Sequence, residues 1–235
     1  MIMNEIVIFR HSAGEGPGYF ARFLDRRGIA YRLVKIDQNE ALPESIDHVS
    51  GLVFMGGPMS VNDPLPWIPK ALNLIRQAVA ADVPVLGHCL GGQLMSKALG
   101  GQVSVNPVRE IGWLPVERID SAIARHWLDG LAPEFEVYHW HGETFTIPQG
   151  ATHILKSPAC NNQAFVIGKS LALQCHVEML PKMIHDWSTI SREEIKHPSA
   201  TVQSLDQMIV DIDQRIQRLH QVADILYTRW LQGVA

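Results

Sequence analysis

The stretch VPVLGHCLGGQLMSKALGG (residues 83–101) sets a short apolar run directly against a helix-like one, with glycines at 87, 91 and 92 around a lone Cys89. It reads as strand, sharp turn and helix. The same alternation fills the first hundred residues. EIVIF (5–9) is a buried strand followed by the Gly/Pro-rich loop HSAGEGPG. YFARFLDRRG (19–28) has helical spacing and a glycine stop, and IAYRLVKID alternates as a strand does. SGLVFMGG is a second apolar strand ending in glycines, and IPKALNLIRQAVAAD is a helix. Strands and helices in this order predict an α/β fold with a mostly parallel central sheet and helices on both faces.

Beyond residue 100 the texture changes. GQVSVNP, EIGWLPVERI, EFEVYHWHGETFTIP, THILKSP, QAFVIG and SLALQCHVE are strand-like pieces parted by turn residues, and they predict an antiparallel extension of the sheet. From about Leu180 the pattern is helical. SLDQMIVDIDQRIQRLHQVADILYTRWL repeats apolar residues at Ile209, Ile212, Ile216, Leu219 and Val222, as one long amphipathic helix would, packed against the domain or a second copy in a homodimer. The expected organisation is a main unit over 1–188 with a helical C-terminal extension over 189–235 packed on it.

Composition narrows the functional classes. With 20 basic and 24 acidic residues and no long basic run, the chain lacks the electrostatic footprint of a nucleic-acid binder. No apolar run approaches the length of a membrane span, and the N-terminus lacks the basic start and apolar core of a signal peptide. Cys89, Cys160 and Cys175 are sparse and have no metal-ligand spacing. These features point to a cytoplasmic protein with reduced thiols.

Gly87-x-Cys89-x-Gly91 repeats the geometry in which hydrolases hold a nucleophile above a sheet, with small neighbours because a side chain there would clash. A helix N-terminus beneath the sulfur favours negative charge on it, and the Leu90 amide is placed to meet an oxyanion. The competing reading is a buried cysteine in a tight connection. Cys160 and Cys175 lack the frame and read as packing residues. A thiol nucleophile needs a base, and among eleven histidines His176 stands out, at the end of the apolar strand SLALQCHVEM with Glu178 two residues on. In extended backbone these two side chains point the same way, so Glu178 orients one ring nitrogen while the other faces the sulfur. A surface histidine beside an unrelated glutamate is the alternative.

PVLGHCLGGQLMSKALGG, MGGPMSV, YHWHGETFTIP and LALQCHVE, in this order, resemble the class I glutamine amidotransferase family, nearest to stand-alone proteins like the amidotransferase domain of GMP synthase. The resemblance runs from about Ile6 to Glu178 and implies the flavodoxin-like sheet of that family. It also implies a Cys89–His176–Glu178 triad, an oxyanion hole of the Gly57 and Leu90 amides, and a substrate pocket near Gly56, Gln93, His141, Gly142 and Glu143. Gln93 otherwise reads as a polar residue on an exposed helix face, and His141 as a structural histidine. His139 and His141 tempt a metal reading, but no third ligand is apparent, and the chemistry calls for neither metal nor organic cofactor. Trp113 and Trp140 read as core or pocket wall. Two departures stand out. Gly92 replaces the family's common His or Met, which leaves a space expected to widen the pocket. Val177 replaces the common proline of His-Pro-Glu, which is expected to loosen that turn.

The implied reaction is hydrolysis of the glutamine γ-carboxamide through a γ-glutamyl thioester on Cys89. The chain has no phosphate-binding glycine loop, so an ammonia acceptor would be a separate synthetase subunit. The same triad would equally serve a γ-glutamyl hydrolase or peptidase acting on small γ-glutamyl compounds. A non-catalytic binding or stress protein keeping the cysteine elbow is the alternative from another class, against which His176 and Glu178 argue.

Overall fold

A computed structural model describes residues 5–234. Its strands are β1 (Glu5–Arg10), β2 (Tyr31–Lys35), β3 (Val49–Phe54), β4 (Val85–His88), β5 (Val103–Arg118), β6 (Glu134–Phe145), β7 (Thr152–Lys156), β8 (Ala164–Ile167) and β9 (Ser170–Leu173). They form one sheet in the order β2-β1-β3-β4-β9-β8-β7-β5-β6. The five strands from β2 to β9 run parallel, and β8, β7, β5 and β6 continue the sheet antiparallel. The α/β architecture is therefore the expected one, with a larger antiparallel share.

Both faces of the parallel half are apolar, which is why its strands read as unbroken hydrophobic runs. In β1, Ile6 and Ile8 join one core while Val7 and Phe9 join the other. Helices α2 (Ile68–Ala80) and α3 (Leu90–Ala98) cover the second face through Leu74, Ile75, Leu94 and Met95. The first face is covered by α1 (Gly18–Asp25), α5 (Pro181–Ile190) and α7 (Ile212–Leu231), with α4 (Ala122–Trp127) and α6 (Leu205–Ile209) beside them.

Three expectations are corrected here. The C-terminal segment is two helices, because Val210 is extended and Asp211 takes a left-handed conformation (φ 52°) that no continuous helix accommodates. Ile209 thus ends α6 instead of continuing the α7 stripe. That stripe (Ile216, Leu219, Val222, Ala223, Leu226, Tyr227, Trp230) is buried within the chain, with Phe20 and Phe23 of α1 edge-on to Tyr227. The apolar face offered to a second copy is therefore already covered. GQVSVNP and EIGWLPVERI are one strand, β5, whose pairing with β6 slips between Val105 and Glu110. Pro107 lies in the slip, where a missing N–H suits a break in the ladder. Finally, β9 stops at Leu173, so His176 is not in the strand; it is held by an isolated bridge to Tyr138. Among the described residues no helix is long and apolar enough to cross a membrane.

Candidate active site

The sheet order reverses direction beside β1, since the chain places β2 on one side and then β3 on the other. In open α/β sheets such a switch point, at the carboxyl ends of the strands, is where ligands bind. Here the loops after β1, β3, β4 and β9 bring Glu15, Gly57, Cys89 and His176 to one cleft of about 640 Å³.

Cys89 sits between β4 and α3 with φ 50° and ψ −106°, a conformation a side-chain-bearing residue adopts only when its surroundings force it. The surroundings do. Its N–H donates to the Leu173 carbonyl at 2.8 Å. A methyl group on Gly87 would strike the Gly91 backbone, and one on Gly91 would strike the Phe54 carbonyl. Gly92 has a different role from the expected one. Its α-carbon abuts the Leu173 backbone, so its bareness lets α3 approach β9 and adds no pocket space.

His176 Nδ1 lies 2.7 Å from Glu178 Oε1, and both side chains are buried. A bend, not an extended strand, brings them together. Loss of the proline has not left this bend unsupported: the His176 N–H donates to Tyr138 O and the Tyr19 N–H to Glu178 O, each at 2.8 Å, and Val177 is buried in the core. Burial works strongly against an imidazolium at His176, but Glu178 and the neighbouring Cys89 sulfur outweigh it and raise the imidazole well above its ordinary value. Burial likewise pushes Glu178 upward, and His176 and then His88 overcome it to hold the carboxyl well below the usual range.

The other expected residues gather around this pair. Gln93 is buried, not on an exposed face; its amide donates to Gln174 Oε1 at 3.3 Å, and Gln174 in turn donates to Cys89 Sγ at 3.6 Å. Glu143 lines the cleft beside Gly142 and accepts from the Ser60 hydroxyl at 2.9 Å. Neither the Gly57 nor the Leu90 amide has a hydrogen-bond partner among the described residues. A side chain at Gly56 would run into the Glu15 carboxyl and crowd the His176 ring edge. Trp140 is pocket wall and Trp113 is core. Cys160 and Cys175 are buried, and burial raises the Cys175 thiol.

His141 lines the cleft and lies 3.1 Å from Glu110 Oε2, which is further held by Gln163 (2.6 Å), while Ser157 donates to Oε1 (2.7 Å). Ligand-type atoms of Glu110, His141 and Cys160 fall within 4.8 Å of one another, a set that leaves out His139 and so is not the His139–His141 pair with a third ligand added. Every one of them is engaged in hydrogen bonds, Cys160 Sγ with the Thr144 hydroxyl at 3.1 Å. His139 is buried behind this network and takes no part in the cleft.

Sequence reasoning missed four residues. Glu15 follows β1 in a loop that reads only as glycine-rich. His11 Nδ1 donates to the Met55 and Gly56 carbonyls (3.0 and 3.3 Å), fixing the glycine turn; burial lowers it to about 4, so it stays neutral. Gln174 looked like strand. His88, next to Cys89, meets the Tyr227 hydroxyl of α7 at 3.0 Å and Glu178 Oε2 at 3.8 Å, tying the C-terminal helix to the site.

The class I glutamine amidotransferase description fits residues 19–186. The chain is 44% identical to a glutamine amidotransferase from Methylobacillus flagellatus, covering 99% of this chain and 96% of that one with a TM-score of 0.96. A glutamine amidotransferase of Thermotoga maritima, 24% identical with a TM-score of 0.86 over 97% of each chain, shares the fold. The glutamine amidotransferase-like protein YfeJ of Salmonella typhimurium is 29% identical over 79% of this chain and 80% of its own length. A glutamine-hydrolysing GMP synthase of Aeropyrum pernix is 31% identical over 69% of this chain, which spans only 31% of that enzyme. Fold and site together define an α/β protein with a thiol elbow and a buried His–Glu pair. The chain belongs to the class I glutamine amidotransferase family.

Proposed function

We propose that this protein is a glutaminase of the amidotransferase type, which releases glutamate and ammonia through a Cys89 γ-glutamyl thioester. The observation that carries the reading is the 2.7 Å His176–Glu178 pair set beside a strained cysteine in one cleft. Cys89 Sγ attacks the γ-carboxamide carbon while the oxyanion rests on the free Gly57 and Leu90 amides, and a well-aimed donor of this kind lowers the barrier by about 3 kcal/mol. His176 protonates the departing nitrogen, because an amide nitrogen leaves poorly otherwise. It then takes a proton from the water that cleaves the thioester. Glu178 keeps the imidazole oriented and favours its charged form. Gln93, Gly56, His141, Gly142 and Glu143 form the walls that hold the glutamyl portion.

The GMP synthase relative is glutamine-hydrolysing by name, and this chain matches 31% of its length; on this reading the partner to look for is a separate synthetase subunit that accepts the ammonia. A second reading, hydrolysis of small γ-glutamyl compounds, is favoured by the breadth of the cleft, whose outer wall includes the exposed Val108 and Ile190. Three free cysteines suit a reducing, cytoplasmic setting. The test is glutamate release from glutamine by the wild type and by Cys89→Ala. Turnover is expected to fall at least about a thousandfold in the variant. Equal turnover by both proteins contradicts the proposal.

A further inference from the structure

The cleft holds a carboxyl that the triad does not use. Glu15 follows β1, lines the cleft, and makes no side-chain hydrogen bond or ion pair among the described residues. Its carboxyl lies over Gly56. A methyl group built on Gly56 would collide with Glu15 Oε2 and would stand 3.2 Å from His176 Cε1, so the carboxyl and the imidazole edge border one small space. The loop bearing Glu15 is fixed from two directions. The Glu15 N–H donates to Ser12 O at 3.0 Å, and Trp187 Nε1 of α5 donates to Gly14 O at 2.9 Å. The same Trp187 ring stands edge-on to His176, with centroids 4.9 Å apart.

The cleft is lined by Gln93, Gly142 and Glu143, the last held by Ser60, as well as by Gly14, Glu15 and Trp187. Of these, Trp187 packs on the His176 ring, and Glu15 shares the space over Gly56 with it. Because His176 gives Nδ1 to Glu178, only Nε2 remains for proton transfer, and the leaving nitrogen must depart next to it. Cε1, the ring carbon between the two nitrogens, borders the same space over Gly56 as the Glu15 carboxyl.

We propose that Glu15 is a further catalytic residue, which holds the leaving nitrogen and then the incoming water beside His176; this rests on the glutaminase reading above. In the first half, the Cys89 Sγ–carbon bond forms, the carbon–nitrogen bond breaks, and the proton on His176 Nε2 goes to the departing nitrogen. Glu15 accepts a hydrogen bond from that nitrogen and gains no proton. In the second half a water oxygen bonds to the carbon, its proton goes to His176 Nε2, and the sulfur leaves with its electron pair. Glu15 accepts a hydrogen bond from the water's other O–H. Burial raises the Glu15 carboxyl, with His176 opposing and Glu178 adding, to about 7, so its ionised form is present at neutral pH.

The test uses Glu15→Ala and Glu15→Gln in the full chain. It measures glutamine kcat and KM, and the ratio of glutamyl hydroxamate to glutamate at fixed hydroxylamine. Hydroxylamine attacks thioesters readily and depends less than water on being held. In Glu15→Ala, kcat is expected to fall at least about tenfold with KM changed less than threefold, as for loss of a contact made in the transition state. The hydroxamate ratio should rise. Glu15→Gln, which keeps an acceptor oxygen and the shape, should fall between. An unchanged ratio, whether or not kcat falls, overturns the assignment. Absence of glutamine turnover and of Cys89 labelling by a glutamine-like alkylating analogue in the wild type would instead defeat the glutaminase reading, and this proposal with it.

Discussion

The two halves of the sheet contribute to the site in different ways. The parallel half, from β2 to β9, supplies the groups proposed to react, since all its strands end at the same edge and deliver Gly57, Cys89 and His176 there. The antiparallel half supplies walls. Its slip in β5 throws Asn106–Arg109 over the cleft, and β6 carries His141, Gly142 and Glu143. What fixes each half also differs. The elbow is fixed by steric exclusion among backbones, at Gly87, Gly91 and Gly92. The wall is fixed by a buried polar network centred on Glu110. Damage to the first should abolish the chemistry, and damage to the second should weaken substrate binding while leaving the chemistry largely intact.

The largest effect is expected from Gly91→Ala, whose added methyl group meets the Phe54 carbonyl. Overpacking against backbone should cost about 3 kcal/mol of stability, read by urea titration. Any folded fraction should lose most of its glutaminase activity, because α3 must shift beneath Cys89. Full activity in this variant would show that the elbow is not sterically fixed. Glu110→Gln comes next. It keeps the shape but removes the charge facing His141, and should raise KM for glutamine about tenfold with a smaller change in kcat, as loss of ground-state binding does. A fall in kcat alone would erase the distinction between the halves.

Two smaller effects sharpen the comparison. Glu15 binds its proton more tightly in the folded chain, at about 7, than an ordinary carboxyl of 4.5. The wild type therefore loses stability from this group as pH rises from about 4.5 to 7, whereas Glu15→Gln does not. The variant should melt higher than the wild type at pH 8, and the gap should shrink toward pH 4. A gap that widens on acidification would contradict the sign. Tyr227→Phe removes a buried hydroxyl that meets His88 and should cost about 1 kcal/mol in thermal unfolding. A matching small loss of kcat would show that α7 supports the triad through His88.

The same contrast explains what could be read from the chain. Where strands are buried on both faces, each element appears as a continuous apolar run, and Gly-His-Cys-Leu-Gly and His-Val-Glu stand out at the ends of such runs, though it takes the family resemblance to join them as a triad. The antiparallel half reads as separate pieces because Pro107 lies where the pairing of β5 slips, and the strand resumes in a shifted register. Glu110, Ser157 and Gln163 have no local pattern; they meet only once β5, the β7–β8 turn and β6 are assembled. Gly92 is illegible for a related reason, since a glycine's missing side chain looks the same in sequence whether it opens a pocket or admits a neighbouring backbone. The left-handed Asp211 likewise leaves the apolar spacing of the C-terminal segment almost unbroken, so the two helices looked like one.

The most direct test is to treat the folded chain with a glutamine-like alkylating analogue and map the adduct by peptide mass spectrometry. One label per chain, on Cys89 alone, with the buried Cys160 and Cys175 untouched, is the expected result. A folded sample that takes no label, or takes it on another residue, would contradict the assignment of Cys89 as the nucleophile.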